Sequence, residues 1–126
     1  MYSLGPRSKQ RLKGVHPDLV RVVERAIEIS IVDFTVLEGL RTPERQKILV
    51  ETGASQTLNS RHITGHAVDL GAWIDDEVRW DWPLYHKIAA TMKTAAKELE
   101  VKIVCGADWK RFPDGPHFEL DRKAYP

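Results

Sequence analysis

The chain predicts an α+β fold, and three features of its pattern carry that expectation. Apolar residues recur at helical spacing in runs toward each end of the chain. Short runs rich in β-branched and aromatic residues lie among them. These strands and helices do not alternate with the regular spacing of βαβ units, so a doubly wound parallel sheet is not expected. The 126 residues have the size of one domain, with no repeat or linker-like stretch to divide them. A single unit over 1–126 is therefore expected.

Each element has its own signal. Ser8 is expected to cap a short helix that ends near Gly14. Pro17 and Asp18 open a second helix, in which Leu19, Val22, Val23, Ala26, Ile27 and Ser30 fall on one face. Val32–Leu37 reads as a strand. Thr42 and Pro43 form a cap and first-turn pair for a third helix, which should stop at Gly53. A polar loop, Ala54–Arg61, leads to a short strand around Ala67–Leu70. Asp75-Asp76-Glu77 turns the chain into a hairpin strand, Val78–Trp80. The strongest helix is Pro83–Glu100, with Leu84, Ile88, Met92, Ala95 and Leu99 in one stripe backed by Ala89 and Ala96. Val101–Val104 and His117–Leu120 close the chain as two further strands.

Composition narrows the function classes. With 42% hydrophobic residues, 29% charged residues and a net charge of +1, no strong field points to nucleic acid, and none is expected as a partner. The basic excess at Arg7, Lys9, Arg11, Lys13, Arg21 and Arg25 reads as a solvated helix face. Cys105 is the one cysteine, so no internal disulfide is possible, and its apolar flank reads as a buried thiol. No stretch reaches the ~20 apolar residues of a membrane span, so no membrane insertion is expected. The opening residues MYSLGPRSKQRLKG lack the apolar core of a signal peptide. Synthesis in a cytoplasm follows as an expectation, with passage outward supplied by another component if the substrate lies outside. A monomer is expected.

Chemistry concentrates in two segments. Ser60 to Asp69 holds His62, His66 and Asp69, and Asp114-Gly115-Pro116-His117-Phe118-Glu119 holds a second His and carboxylates. Three His or carboxylate ligands with a fourth position left for water are the usual make-up of a catalytic zinc site. His62 and His66 have the four-residue spacing of a helical zinc site, but position 63 is Ile where that site needs Glu, and Thr64-Gly65 disfavours a helix. A turn through Gly65 into a strand fits better. Ala67 and Asp69 then share one face and Val68 and Leu70 the other, while His62 folds back beside Asp69. His66 falls opposite Asp69, which leaves it a supporting, substrate-side or structural role. His117, heading another strand, completes a His-Asp-His set, and Asp114 could be aimed by the rigid Gly115-Pro116 turn at an attacking water. Spacing alone favours reading His117 as a hydrogen-bonded strand histidine, and Arg41 as a surface arginine beside a helix.

The motif Ser60-x-His62-x-x-Gly65-x-Ala67-x-Asp69 resembles the S-x-H-x-x-G-x-A-x-D signature of the D-Ala-D-Ala carboxypeptidase and VanY-like zinc metallopeptidases, the M15 group. The segment Gly106 to Leu120 is similar to the L-alanyl-D-glutamate endopeptidase branch, which includes phage endolysins. The likeness runs from about Leu37 to Leu120. It implies a hedgehog/DD-peptidase type of fold, a small, mostly antiparallel sheet flanked by helices. It also implies one Zn2+ held by His62, Asp69 and His117, with Asp114 as the acid/base. Glu38-Gly39-Leu40-Arg41-Thr42-Pro43 resembles the segment carrying an arginine beside the active site, so Arg41 is implied to steady the oxyanion. Trp109 is expected to line the substrate cleft. Ser60 is expected to bond substrate or simply to form its turn. Trp73, Trp80 and Trp82 are expected in core or hairpin packing.

Carboxypeptidases and dipeptidases of the group place Glu near the last ligand, with Trp just before the His. Asp114 and Pro116 depart from that pattern and point to an endopeptidase acting on peptidoglycan stem peptides, as in endolysin-like lysis of the cell wall. The resemblance and the short chain suit a phage-encoded enzyme released by a holin. The rivals are a D,D-carboxypeptidase with the same metal and a non-catalytic binding domain whose zinc is structural.

Overall fold

In the computed structural model, which describes residues 1–55 and 57–126, the chain runs α1 (Pro6–Arg11), α2 (Pro17–Ile29), β1 (Phe34–Glu38), α3 (Pro43–Glu51), β2 (Ala67–Ile74), β3 (Glu77–Arg79), α4 (Trp82–Leu99), β4 (Ile103–Cys105) and β5 (His117–Leu120). The strands form one antiparallel sheet in the order β1-β2-β5-β4, with β3 pairing the far half of β2. The α+β expectation therefore holds.

The sheet has two chemically different faces because successive side chains alternate. Val68, Leu70 and Ala72 of β2, Phe118 and Leu120 of β5, and Val36 of β1 are buried in one core with the apolar faces of α2 and α4. The α2 residues expected to face inward, Leu19 to Ile27, are all buried. So are Ile88, Ala89, Met92, Ala95 and Ala96 of α4, while Leu84 and Leu99 are only partly covered. Asp69, His117 and Glu119 fall on the opposite face, where cross-strand neighbours Asp69 and His117 stand in register.

Local chemistry sets the ends of the elements. His16 caps α2, its Nδ1 accepting from the Asp18 N–H at 3.1 Å. Thr42 caps α3 as expected, accepting from the Arg45 N–H, and the helix ends before Gly53 at φ 81°. Ser8 departs from expectation: it lies inside α1, whose cap is Gly5. Its buried hydroxyl instead accepts from the Val36 N–H at 2.9 Å, and Arg11 donates to the Val36 carbonyl at 3.0 Å. Thus α1 satisfies the open edge of β1 rather than standing apart, which blunts a surface otherwise ready to pair with another chain.

The tryptophans also depart in part. Trp80 is 60% exposed, although it stacks on Tyr85, and Trp82 is exposed beside His86. Tyr85 takes the interior place instead: its hydroxyl accepts from the Ala72 N–H and donates to the Arg79 carbonyl, pinning the β2–β3 hairpin to α4. Cys105 is buried, and burial pushes its thiol up to about 11, so it behaves as an inert core residue. No helix among the described residues is long and apolar enough to cross a membrane.

Candidate active site

The site rests on the polar face of β2 and β5. Asp69 projects from β2, and His117 heads β5 directly opposite it. His62 comes from the turn that precedes β2, and Gly65 makes that turn possible. Its φ is +76°, and a Cβ there would lie 2.4 Å from the Gly14 carbonyl oxygen. The motif glycine is thus required twice, by backbone conformation and by close approach. The turn folds His62 back so that its Nε2 stands 3.2 Å from Asp69 Oδ1, while His117 Nδ1 stands 3.3 Å from the same oxygen. One donor atom from each residue lies within 4.8 Å of the other two. Asp114 reaches the same cleft from the loop before β5, a loop packed so closely that a Cβ on Gly106 would meet the Asp114 carbonyl at 2.4 Å.

These three residues fit a divalent metal ion. His62 Nδ1 faces the Gly39 carbonyl at 2.9 Å, and a carbonyl can only accept, so the ring hydrogen sits on Nδ1. His62 Nε2 then presents a lone pair to the Asp69 carboxylate, an arrangement that requires a cation between them, whether a proton or a metal. His117 repeats the logic. Its Nε2 lies 2.8 Å from Glu119 Oε1, so that nitrogen donates to the carboxylate and Nδ1 can turn its lone pair inward. Ligands about 2.1 Å from a tetrahedral ion stand roughly 3.4 Å apart, close to the two separations seen here. Two imidazoles and one carboxylate, each ring oriented by an acceptor behind it, are the donor set of such sites.

The electrostatics agree. Burial alone would push the Asp69 carboxyl up, but hydrogen bonds from His117 and His62 hold it far below the usual carboxylate range. Burial opposes charge on His117, yet bonding to Asp69 and Glu119 pushes it up to about 9. Asp114 is raised, first by burial and then by the neighbouring Asp69 charge, which makes it a stronger proton acceptor than a solvated aspartate.

The cleft around this group measures about 1140 Å³. Its lining includes Arg41, Ser60, Trp109 and Asp114. Trp109 lies with its ring centroid 5.0 Å from that of His117. The hydroxyl of Ser60 accepts from the His62 N–H at 3.2 Å, so it shapes the turn while facing the cleft. Arg41 is buried, and most of its donors are engaged: Nε and Nη2 bind both oxygens of Glu38, Nη1 binds Gln46, and Nη2 approaches Asp69 Oδ2 at 3.6 Å. His66 is not brought into the cleft lining. Its Nδ1 contacts Thr64 Oγ1 at 2.7 Å, and its ring lies beside His16.

Sequence reasoning assigned no role to Glu119, Glu38, Gln46 or the Gly39 carbonyl. Glu119 carried a readable signal, since residues two apart on a strand share a face and His117 was already a candidate. Gln46 gave none, because only the tertiary fold brings Ser55 and Thr57 to it, and Glu38, three residues from Arg41, went unassigned.

Known proteins resemble this chain in sequence and in fold. A family model described as phage L-alanyl-D-glutamate peptidase matches residues 1–125. The L-alanyl-D-glutamate peptidase of Escherichia phage T5 is 34% identical over 128 residues, covering 98% of this chain and 93% of its own. The crystal structure of the Serratia marcescens L-Ala D-Glu endopeptidase ChiX superposes with a TM-score of 0.91 at 49% identity, over 96% of this chain and 91% of that one. The vancomycin-resistance D,D-dipeptidase VanXYg, at 20% identity and a TM-score of 0.59, shares the fold over 84% of this chain and 50% of its own. On the strength of the family match and these relatives, the chain belongs to the phage L-alanyl-D-glutamate peptidase family.

Proposed function

We propose that this protein is a zinc-dependent endopeptidase that hydrolyses the L-alanyl–D-glutamate amide of peptidoglycan stem peptides, acting on the cell wall after release from the cell that makes it. Residues 1–126 would form one peptidase domain. The observation that carries the reading is the convergence of His62, Asp69 and His117 at the head of a cleft that also holds Asp114. The T5 and Serratia relatives, both described by this activity, support the choice of substrate.

In this reading His62 Nε2, Asp69 and His117 Nδ1 would hold one zinc ion. When bound, zinc supplies Lewis acidity, drawing electrons from the scissile carbonyl and making water acidic enough to attack at neutral pH. Asp114 takes one proton from the attacking water as its oxygen bonds to the carbonyl carbon, and gives that proton to the departing amine of D-glutamate as the C–N bond breaks. Gly39 and Glu119 keep the two imidazoles in the tautomers that leave their inner nitrogens free. Arg41 adds positive charge beside Asp69, next to where the oxyanion develops. Trp109 and Ser60 flank the bound peptide.

The test is digestion of purified peptidoglycan followed by identification of the new termini. New D-glutamate amino termini are expected, whereas free D-alanine would assign the protein to the D,D-carboxypeptidases. Asp114→Ala should retain about one zinc per chain while kcat falls ~10²–10⁴-fold. Wild-type turnover in that variant would remove Asp114 from the mechanism.

A further inference from the structure

Gln46 is the one buried residue of α3, with none of its surface exposed. A polar side chain so placed is costly unless its hydrogen-bonding groups are met. Here they are, on two sides. The amide oxygen accepts from Arg41 Nη1 at 2.6 Å. The amide nitrogen donates to Ser55 Oγ at 2.7 Å and to the Thr57 carbonyl. The orientation follows from chemistry: a guanidinium can only donate and a carbonyl can only accept, so a flipped amide would oppose like groups on both sides.

Each partner leads into the cleft. Arg41 is the residue whose Nη2 lies 3.6 Å from Asp69 Oδ2. Ser55 and Thr57 also line the cleft, on the polar loop before the motif. Gln46 therefore joins the guanidinium beside the candidate metal ligands to a second part of the cleft lining.

We infer that Gln46 is a positioning residue with two separable tasks, fixing the Arg41 guanidinium against Asp69 and holding Ser55 and Thr57 in place in the cleft lining. The inference deepens the peptidase reading and rests on it for its kinetic consequence, though not for its structural one. The two halves of the amide can be removed separately. Glu at this position keeps an oxygen for Arg41 but offers a second oxygen to the Thr57 carbonyl, which repels it and releases that part of the lining. Met has a similar shape and keeps neither bond.

The test compares zinc-loaded wild type, Gln46→Glu, Gln46→Met and Ser55→Ala by steady-state kinetics on a soluble stem peptide, and by amide hydrogen exchange across 55–59. Gln46→Glu should raise KM about tenfold, leave kcat within about threefold, and speed exchange in that segment. Gln46→Met should do the same to exchange and also lower kcat ~10–100-fold. That kcat loss should vanish in an Arg41→Met background, because the residue through which Gln46 acts is gone. Ser55→Ala, which removes the hydroxyl's bonds to the Gln46 amide and to the Thr57 backbone while leaving Gln46 and Arg41 in place, should reproduce part of the KM and exchange effects, and it decides the matter with Gln46→Glu should Gln46→Met fail to fold. Unchanged exchange in Gln46→Glu and Ser55→Ala, or full additivity of Gln46→Met with Arg41→Met, overturns the inference. A wild type that produces no D-glutamate termini overturns the peptidase reading instead, and the exchange data still judge Gln46.

Discussion

His117 is held by a carboxylate at each ring nitrogen, Asp69 at Nδ1 and Glu119 at Nε2, and both raise its proton affinity. In protein stripped of divalent ions with EDTA this has a consequence for stability. A histidine raised from 6.5 to about 9 on folding stabilises the fold fully below pH 6.5, and that contribution is lost as pH rises through 9. Asp69, depressed on folding, acts in the other direction, contributing above its ordinary 3.8 and less as the solution turns acid. Thermal melts of the stripped protein should therefore show Tm falling between about pH 6.5 and 9, and His117→Asn should flatten that limb. A wild-type profile already flat there would mean the ring is not held as described. Glu119→Gln tests the other side of the ring: zinc affinity should fall ~10–100-fold in a competition titration. His66→Ala, away from the cleft, should leave affinity unchanged, and loss of zinc from it would move the ligand assignment to the wrong side of the turn.

The elements that matter most are those that leave little room. The turn from Arg61 to Gly65 passes so near Gly14 that any side chain at 65 would collide with its carbonyl. Gly65→Ala combines that collision with a positive φ, so a cost on the order of 1–3 kcal/mol is expected. Because the same turn places His62, zinc affinity should fall together with Tm. If chemical denaturation showed stability within ~0.5 kcal/mol of wild type, the close approach would not be real. The register of β2 against β5 is the second constraint. It sets Asp69 opposite His117 and Val68 opposite Phe118, so one pairing fixes the candidate metal site and the core at once. A slip of one residue would exchange the two faces.

Across the whole molecule the proposed metal ligands and the core lie on opposite faces of one sheet. The core joins α2, α4 and the inward residues of four strands without using His62, Asp69 or His117. Removing zinc should then lower Tm by the linkage free energy of a lost ligand but leave a cooperative transition and a native far-UV spectrum. Loss of cooperativity on chelation would show instead that the ion is part of the folding core.

Much of this was legible along the chain. Helical periodicity located α2 and α4 because their inward residues repeat at a fixed angle, and Thr42-Pro43 marked α3 because a cap is a local device. Alternation predicted that Asp69 and Val68 would part company across the sheet, and the buried Val68 and Leu70 bear that out. The His62, Asp69 and His117 candidates were named from residue type, spacing and the resemblance that a short motif carries. What local pattern does not encode is what an atom faces after the chain has folded. Ser8 looked like a cap because nothing nearby revealed the edge of β1, and Gln46 looked like an ordinary helix residue because its partners lie 5, 9 and 11 positions away around turns. The sequence by itself determined the elements, the faces they present and the candidate ligands, since these follow from short-range sterics and burial. The tertiary structure alone decided which carbonyl stands behind His62 and what the buried amide joins, because those are distances between segments that meet only when the sheet and its loops close.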